Sequence, residues 1–517
     1  MAVSFRSRRI LAVAAALLVV SAGATACKTT TTGSGSSSSD TITIGTLVGP
    51  TSMDPQTGQS GADYQWLDFV FARLISYNSQ TGALQPALAT AWTWSADKKE
   101  LDLTLRQGVT FQDGTPVNAA AVVFTLQRYM QKGDISNNLE YMTGVKAVGA
   151  DQVAVTLSQP NAQLVYGLAD RAGMILSPTA VNKEGDGFAT HPVGAGPYSF
   201  VSEVPNASYT FATFPGYYLN ARTKRVKNVK VQLFQTGTAM TTAMQTGDIQ
   251  VATNVPTQVL PPLQKDTSLT TVIGQGSTPV IVWLDGALKP MDNPKVRLAF
   301  SLALDREAIM KVATDGLGEV TTELAPKGTV GYVPGLDPLW PVNGNQAEAR
   351  ELLKEAGYPN GVSFTCYNYP GIGYDITDPI IESEEAAVGI QVKVLNGSAT
   401  QSDAFFKGGS GPCLMSAYAG TPNPAEITEG ILWTKSFYDA QHADFGVDQF
   451  INQINTTYTD SSLNALYAQI WQTQKTNPGA IPMYTGPEVN VYQQNIKGWV
   501  NSPIQQENWF GMYYTGG

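Results

Sequence analysis

The sequence has few residues of the types that most enzymes use. Among its 517 residues there are two histidines and three cysteines, and only 14% are Asp, Glu, Lys or Arg. Two histidines leave general-base and metal chemistry little to work with. No phosphate-binding loop G-x-x-x-x-G-K-[ST], no H-E-x-x-H and no G-x-S-x-G elbow occurs in the sequence. These absences argue against an enzyme, a metal site and a cofactor.

Positive charge is also scarce. There are 32 Lys and Arg against 42 Asp and Glu, which gives a formal net charge of −10. A nucleic-acid surface needs clustered basic residues, so we expect no nucleic-acid partner. Nine tryptophans and a hydrophobic content of 43% exclude a disordered chain. At roughly 100–200 residues per domain, the length allows about three domains.

The N-terminus has the composition of a secretory signal. Arginines within the first nine residues precede the apolar run ILAVAAALLVV and the small residues SAGATA. This order predicts a signal peptide over residues 1–26, with an uncleaved membrane anchor as the alternative. Cys27 follows in A-T-A-C, which resembles a lipobox with Ala24 in place of the usual leucine. We therefore expect lipidation of Cys27 and attachment to the extracytoplasmic face of the cell membrane.

Residues 27–40 contain no apolar side chain after Cys27. The segment KTTTTGSGSSSSD is rich in Gly, Ser and Thr, so it has nothing to bury. Such a composition is typical of a flexible linker. We expect it to tether the folded body to the lipid.

The two remaining cysteines lie in strand-like segments. Cys366 is in FTCYNY and Cys413 is in PCLMSAY. As neighbours in one sheet they would form a disulfide, which persists outside the cytoplasm. Two separate buried thiols are the alternative, because cysteine packs as a small hydrophobe. Their spacing matches no zinc or redox motif.

Hydrophobic periodicity indicates an α/β protein. TITIGTLVG alternates as a half-buried strand, and Asn118 is placed to cap the helix AAAVVFTLQRYM. The stretch PKVRLAFSLALDREAIMKVA, residues 294–313, predicts one long amphipathic helix. Helix QAEARELLKEAGY is expected to end at Gly357, and strands and helices alternate after it. That alternation is typical of a parallel sheet covered by helices.

Three short matches to penicillin-recognising acyl enzymes are weak. They are S-A-D-K from Ser95, S-N-N from Ser136 and K-G-G from Lys407. The nucleophile of such an enzyme opens a buried helix, whereas Ser95 lies in a polar hairpin turn. Matches this short are expected by chance in a chain of this length.

Several longer phrases, taken in order, resemble a known family. They are MDPQTG, LQPALATAWTWSADKKELDLTLRQGVTFQDGTPVNAAAVVFTLQR, HPVGAGPYSF, NPKVRLAFSLALDREAI and AEARELLKEAGY. They resemble signatures of extracellular solute-binding protein family 5, the peptide- and nickel-type receptors of ATP-binding-cassette (ABC) importers. The resemblance extends from about residue 41 to the C-terminus.

This resemblance implies a two-lobed periplasmic-binding-protein-like fold of type II, with a ligand cleft between the lobes and an additional subdomain. Lobe I would comprise residues 41–65, 191–284 and 481–517, the extra subdomain 66–190, and lobe II 285–480. A ligand that contacts both lobes would favour a closed form. A permease would then recognise the closed receptor.

Candidate ligand contacts follow from the same resemblance. Peptide-binding relatives hold the ligand's amino group with an Asp in a phrase like D-Y-P-D-P, and the corresponding phrase here begins at Gly420 and has Asn423 in place of the second Asp. Asp285, at the expected lobe crossover, either compensates for the missing charge or serves as a turn residue. Aromatic and amide side chains suit a peptide or a sugar ring. The further candidates are Tyr64, Trp66, Trp283, Tyr418, Trp433 and Tyr438, for each of which core packing is the alternative.

The resulting hypothesis is a lipid-anchored, non-catalytic receptor that delivers an oligopeptide or peptide-like solute to the permease and ATPase subunits of an ABC importer. An oligosaccharide is the second ligand class. A tethered receptor that signals ligand state is the alternative role. A bare nickel ion is disfavoured, because His191 and His442 are the only histidines. We expect a monomer.

Overall fold

The computed structural model describes residues 40–58, 63–78, 82–133, 139–219, 226–369, 374–418, 423–436, 438, 443–458, 462–498 and 511–515. The predicted signal peptide, Cys27 and the tether up to residue 39 lie outside the described residues, as do Gly420 and His442. No helix among the residues in these ranges is both long and apolar enough to cross a membrane.

The described residues form nineteen β-strands and fourteen α-helices. The strands are β1 Thr41–Thr46, β2 Ile75–Tyr77, β3 Leu84–Pro86, β4 Ala89–Trp94, β5 Glu100–Leu105, β6 Met142–Ala147, β7 Gln152–Leu157, β8 Tyr198–Val204, β9 Ser208–Thr213, β10 Asn228–Leu233, β11 Val251–Ala252, β12 Leu269–Leu284, β13 Glu319–Val320, β14 Val362–Asn368, β15 Ile390–Asn396, β16 Cys413–Ala417, β17 Ala480–Gln493, β18 Ile496–Lys497 and β19 Tyr513–Tyr514. The helices are α1 Tyr64–Val70, α2 Ala119–Lys132, α3 Leu164–Gly167, α4 Pro178–Glu184, α5 Gly237–Thr246, α6 Pro261–Gln264, α7 Pro294–Ala303, α8 Arg306–Thr314, α9 Gln346–Glu355, α10 Asp378–Val388, α11 Ala399–Gly408, α12 Glu426–Leu432, α13 Asp448–Asn455 and α14 Leu463–Gln474.

One large mixed sheet extends through most of the molecule. Its strand order is β15-β14-β16-β12-β17-β11-β1-β10-β9-β8, and β13 pairs with β17 beside this path. β14 runs parallel to both β15 and β16, as the alternation of strands and helices in the sequence predicts. A separate antiparallel sheet has the order β4-β5-β7-β6.

Buried hydrophobic residues divide the described chain into three bodies. The first body contains the clusters of residues 42–71, 174–269 and 489–512. The second body contains the cluster of residues 280–484, and the small body contains that of residues 72–175 with Ala195. The division into lobes that move as units stays a prediction.

Two long antiparallel strands, β12 and β17, connect the first body to the second. Their register shifts between Gln275 and Pro279, at the place where the buried side chains change from one cluster to the other. A Cβ atom on Gly276 would lie 2.2 Å from the backbone oxygen of Gly486. Glycine is therefore required where the two strands approach each other at this irregularity.

The small body is attached to the first body through Gln112. Its Nε2 atom donates to the carbonyl oxygens of Val70 at 2.9 Å and Tyr198 at 2.8 Å, and its Oε1 accepts from the Gly194 amide at 2.9 Å. Gly196 allows the close approach, since a Cβ atom there would lie 2.6 Å from the Val70 carbonyl carbon. The G-A-G segment thus serves as a tight crossing.

The helix predicted over residues 294–313 is two helices. Leu304 is extended between α7 and α8, with φ −79° and ψ 129°. The Asp305 side chain then accepts a hydrogen bond from the Ala308 amide at 3.0 Å and caps α8. An Asp inside an amphipathic run offers this alternative to helix continuation, which is the physical reason for the break. Asn118 caps α2 by accepting from the Ala121 amide at 3.0 Å, as predicted.

Cys366 in β14 and Cys413 in β16 form a disulfide in the structure. Their Cα atoms are 4.9 Å apart. Both residues are almost fully buried in the second body. The bond joins two neighbouring strands of the large sheet next to the strand that carries Trp283.

Candidate ligand-binding site

A cluster of aromatic rings lies at the edge of the second body. Trp283 on β12 is at its centre, and its ring centroid is 5.1 Å from that of Phe406, 5.8 Å from Tyr418 and 5.9 Å from Tyr438. Tyr418 and Tyr438 are 6.2 Å apart. β12 and β16 place these residues together, because Trp283 is paired with Leu414 and Tyr418 directly follows β16. Three residues that the sequence predicts separately are thus neighbours.

The indole Nε1 of Trp283 is buried and has no hydrogen-bond partner among the described residues. An indole N–H is only a donor, and a buried donor normally has an acceptor. The aromatic cluster therefore presents an apolar surface with one donor that a bound molecule can satisfy.

A buried group of charged residues surrounds Tyr64. The Tyr64 hydroxyl donates to Asp170 Oδ2 at 2.9 Å, and the guanidinium carbon of Arg171 lies 4.5 Å from the Tyr64 ring centroid. Arg171 also forms an ion pair with Asp63, at 3.1 Å between Nη2 and Oδ2. The short α3 and the turn Arg171–Gly173 after it position Asp170 and Arg171. Asp63 immediately precedes α1.

A second buried ion pair lies near the first. Asp68 Oδ1 and Arg73 Nη2 are 2.7 Å apart, and the guanidinium of Arg73 lies 5.7 Å from the centroid of Tyr77. Burial raises the pKa of the Asp68 carboxyl to about 6, although the charge of Arg73 lowers it and that of Asp170 raises it further. The α1 side of the site is therefore rich in paired charge with little solvent.

The aromatic cluster and the charged group lie within electrostatic range of each other. Burial is the main cause that raises the pKa of Tyr438, the Arg171 charge lowers it, and the charges of Glu426 and Asp170 raise it. Tyr438 belongs to the second body, whereas Asp170 and Arg171 follow α3. The two groups are therefore near enough for the charges of one to act on Tyr438 in the other.

The charge of Glu426, at the start of α12, acts on tyrosines of both groups. Burial raises the pKa of Tyr64 well above its usual value, and the negative charges of Asp170 and Glu426 raise it further. Burial and the Glu426 charge also raise the pKa of Tyr418, whose hydroxyl donates to the Glu426 carbonyl oxygen at 3.2 Å. A carboxylate whose charge acts on tyrosines of both bodies is placed to meet a bound cation.

Asp285 has the local role of a turn residue. Its Oδ1 atom accepts from the Ala287 amide at 3.0 Å, and its own amide donates to the Pro412 carbonyl at 3.0 Å. Burial raises the pKa of its carboxyl. Among the described residues Asp285 forms no ion pair, and the carboxylates whose charges act on Tyr438 are Glu426 and Asp170.

The other predicted residues lie around the site without joining the ring cluster. Trp433 is fully buried at the end of α12, with Lys435 Nζ 5.1 Å from its ring centroid. Asn423 accepts a hydrogen bond from the Ala425 amide at 3.0 Å, ahead of α12. Trp66 is fully buried in the first body. Gly420 lies outside the described residues, as stated above.

Four participating residues were not predicted from the sequence: Phe406, Asp170, Arg171 and Glu426. The phrase LVYGLADRAGMILSP contained a usable signal, because an Asp-Arg pair inside an apolar run must be buried with its charges paired. Phe406 carries no such signal. In the part of the chain that the structure describes, no group of three or more His, Cys, Asp or Glu residues is arranged to hold a metal ion.

Comparison with protein families gives one match over most of the chain. The model described as bacterial extracellular solute-binding proteins, family 5 Middle, matches residues 83–439. Among curated proteins, the glutathione-binding protein GsiB of Shigella dysenteriae serotype 1 is 29% identical over 446 residues, which cover 81% of this chain and 84% of the relative. GsiB of Salmonella typhi is 33% identical over 287 residues, 54% of each chain.

Solved structures with the same fold include binding proteins for different solutes. The periplasmic binding protein AgaA of A. tumefacien R10, in complex with agropinic acid, has a TM-score of 0.83 and 21% identity, and the match covers 92% of this chain and 99% of AgaA. DppA of Helicobacter pylori, in complex with the peptide STSA, has a TM-score of 0.82 and 20% identity over 92% and 98% of the two chains. At such identities the likeness shows the fold, which is that of the periplasmic binding proteins.

Proposed function

Because this chain belongs to family 5 of the bacterial extracellular solute-binding proteins, we propose that it captures a small peptide-like solute and delivers it to an ABC importer. The solute binds where the aromatic cluster of the second body faces the charged group around Tyr64. Capture occurs by closure of the bodies around the β12–β17 crossing.

One observation carries this proposal. The negative charges of Asp170 and Glu426 both act on the hydroxyls of Tyr64 and Tyr438. A solute's ammonium group between these carboxylates would offset their mutual repulsion and accept contacts from the tyrosine faces. A family member without the usual acidic anchor at position 420 thus has carboxylates at another place in the site.

The same site offers groups for the rest of a peptide-like solute. The unpartnered Nε1 of Trp283 donates to a carbonyl or carboxylate oxygen of the solute. Arg171 contributes positive charge beside Tyr64. The rings of Phe406 and Tyr418 cover an apolar side chain of the solute. The glutathione-binding and peptide-bound relatives support this solute class.

A neutral oligosaccharide is the second candidate. The aromatic cluster favours it, since a sugar ring has an apolar face and a polar edge. It makes no use of the negative charges of Asp170 and Glu426, whereas the ammonium group of a peptide-like solute would interact with both. For this reason the peptide-like class is preferred.

Anchoring and delivery complete the proposal. Cleavage before Cys27 and lipidation of its sulfur hold the protein at the extracytoplasmic face of the membrane, and residues 28–40 tether the folded part near the permease. The protein acts as a binding component with no catalytic role. A receptor that signals ligand state uses the same site and differs only in its membrane partner.

The proposal is tested by titration of the mature protein, unfolded in guanidinium and refolded to remove any bound solute. Four probes are compared by calorimetry: tetra-alanine, N-acetyl-tetra-alanine, glutathione and maltotetraose. We expect binding of a probe with a free amino group and at least tenfold weaker binding of the acetylated peptide, because acetylation removes the ammonium charge. Binding of maltotetraose alone would overturn the peptide-like assignment in favour of a sugar.

A further inference from the structure

The C-terminal end of α13 receives hydrogen bonds from a different body of the molecule. The Ala162 amide donates to the Asn455 carbonyl oxygen at 2.6 Å, and Gln163 Nε2 donates to the Ile454 carbonyl oxygen at 3.0 Å. Ala162 and Gln163 precede α3 at the edge of the small body, whereas α13 packs in the second body. All four residues are buried.

These bonds have a clear energetic meaning. The last carbonyls of an α-helix have no partner inside the helix. Here the Asn455 carbonyl accepts across the boundary between bodies, and the Ile454 carbonyl, which also accepts from the Thr457 amide at 3.0 Å, accepts a further bond across it, in a buried contact. Separation of the bodies must replace both bonds with bonds to water, so each contributes free energy to the joined form alone.

Aromatic contacts extend the same boundary. Tyr458, just beyond α13, lies edge-on to Trp94 of β4 with ring centroids 5.5 Å apart, and Lys98 Nζ lies 5.1 Å from the Tyr458 ring centroid. Nearby, Lys435 Nζ lies 5.3 Å from the ring centroid of Tyr141. Tyr141 packs against the buried clusters of both bodies. We call the contacts of Ala162, Gln163, Trp94 and Lys98 with the α13 end and Tyr458 the α13 clasp.

The clasp lies across the opening that solute capture requires. Gln112 fixes the small body to the first body by hydrogen bonds to backbone atoms, as described above. The second body is connected to the first through the irregular β12–β17 crossing. A rotation at that crossing therefore separates α13 from the small body and breaks the clasp.

We propose that Gln163 and Tyr458 are positioning residues for solute capture, which hold the small body against the end of α13 in the closed form. This inference rests on the proposed function, because it assigns the clasp to the closed form of a solute receptor. The clasp lengthens the residence time of a solute by slowing reopening. It also sets how much of the solute-free protein is closed.

The first test changes a residue on the α13 side of the clasp and measures amide exchange on the small-body side. In Tyr458→Ala, the exchange rate of the Ala162 amide hydrogen is measured by mass spectrometry in the solute-free mature protein. Loss of the ring and cation contacts is expected to raise that rate about fivefold, as a more populated open form exposes the amide. The matched control is Tyr217→Ala. It removes an edge-on contact with Tyr218, in which the ring centroids are 4.9 Å apart and which does not involve α13. The control is expected to leave Ala162 exchange unchanged.

A second pair of variants measures the consequence for capture. Gln163→Ala removes the bond to Ile454, and Gln494→Ala removes a similar bond, Nε2 to the Thr267 carbonyl at 2.7 Å, that stays within the first body. Dissociation of tetra-alanine, followed by tryptophan fluorescence, is expected to be about fivefold faster in Gln163→Ala than in Gln494→Ala.

The outcomes separate the clasp from the proposed function. Unchanged Ala162 exchange in Tyr458→Ala would overturn the clasp, whichever solute the protein binds. An equal rise at the Leu103 amide, buried in β5, would also overturn it, since general loosening would then explain the effect. Faster Ala162 exchange alone, in a protein that binds none of the four probes, would support the clasp and contradict the proposed solute class.

Discussion

Two carboxylates, that of the buried Asp170 and that of the half-buried Glu426, contribute to the electrostatics of the proposed site. The charges of Asp170 and Glu426 both act on Tyr64 and Tyr438, and Arg171 is the nearby positive charge. In surroundings with little water each charge acts strongly on its neighbours. The protonation of these carboxylates and the binding of a cation at the site are therefore linked.

The first prediction concerns Glu426. Replacement by Gln keeps the size of the side chain and removes its charge, so the affinity for tetra-alanine should fall about tenfold to a hundredfold, as for a lost charge-assisted hydrogen bond. N-acetyl-tetra-alanine should bind the variant and the wild type equally weakly. Calorimetric titration gives both affinities.

Glu355→Gln is the control for this change. Glu355 is an exposed partner of Lys295 at the end of α9, at 2.9 Å. Its replacement should leave tetra-alanine affinity unchanged. A loss of affinity in both variants would show that net charge, and not the position of Glu426, is responsible.

The second prediction concerns Glu429, which is buried on α12 next to Asn455. Burial is the main cause that raises the pKa of its carboxyl to about 7, and the bond from Asn455 lowers it. A raised folded pKa means that the native state binds more protons than the unfolded state between about pH 4.5 and pH 7. The contribution of Glu429 to the free energy of unfolding is therefore largest below pH 4.5 and is lost as the pH rises towards 7.

Glu429→Gln should remove this loss. Gln keeps an oxygen acceptor for Asn455 and has no charge to desolvate. The variant should have the same free energy of unfolding as the wild type near pH 4.5 and should be more stable by about 3 kcal/mol at pH 8, within a factor of two. Urea unfolding at the two pH values measures the difference, and an equal effect at both would refute the assigned pKa.

The sequence predicted part of this site. Trp283 was selected for its strand near the expected crossover, Tyr418 for its place near the expected anchor loop and Tyr438 as a further aromatic candidate, and the structure brings the three rings together. Asp170 and Arg171 were missed because they are far away in the chain from the anchor loop. Their proximity to Tyr438 arises only from the packing of three bodies. A pattern read along one strand or helix does not contain that information.

The β12–β17 crossing is the element at which the proposed opening would occur. Its two strands keep regular pairing on both sides of the shift between Gln275 and Pro279. A cavity of about 210 Å³ lies beside the shift, lined in part by Gly276, Leu317 and Gly486. Local loss of pairing and free volume together make this a place where backbone rotation is least opposed.

Gly276→Ala tests the crossing. The added Cβ atom would lie 2.2 Å from the Gly486 carbonyl oxygen, so the strands must move apart. We expect a loss of about 1–3 kcal/mol in the free energy of unfolding and altered tetra-alanine affinity. Gly144→Ala is the matched control, because Gly144 lies at an irregularity of β6 and its added Cβ atom meets nothing within 4 Å. Equal effects of the two substitutions would contradict the account of the crossing.

Local sequence signals predicted most elements correctly where one signal acted alone. Asn118 caps α2 as predicted, and Gly357, with φ 92°, follows α9 in the left-handed region. The prediction was wrong where two signals competed. The apolar periodicity of residues 294–313 favoured one helix, whereas the capping side chain of Asp305 started a new one. Periodicity does not show which of two such options packs better.

At the scale of the whole molecule, the described residues form three bodies with the fold of the periplasmic binding proteins. The family and the fold are established for this chain. The resemblance in sequence predicted both, since its phrases are spread along the entire folded part. It did not identify the solute, because solute choice depends on a few side chains that differ among relatives.

Membrane attachment gives a prediction for the intact chain. Cys27→Ser removes the sulfur that would carry the lipid and should move the protein from the membrane fraction to the soluble fraction of cells that express it. Cys366→Ser/Cys413→Ser removes two other cysteines and should leave the protein with the membranes. Retention of Cys27→Ser in the membrane fraction would support an uncleaved N-terminal anchor instead.

Identification of the natural solute is the most direct test of the central claim, which is that the molecule closes on a peptide-like solute with a cationic group. The mature protein is purified gently from the cells that make it, and native mass spectrometry compares it before and after unfolding and refolding. We predict that masses differing by amino-acid residues depart on unfolding and that the released molecules carry a free amino group. Released masses spaced by hexose units would contradict the claim and identify the aromatic cluster as a sugar site.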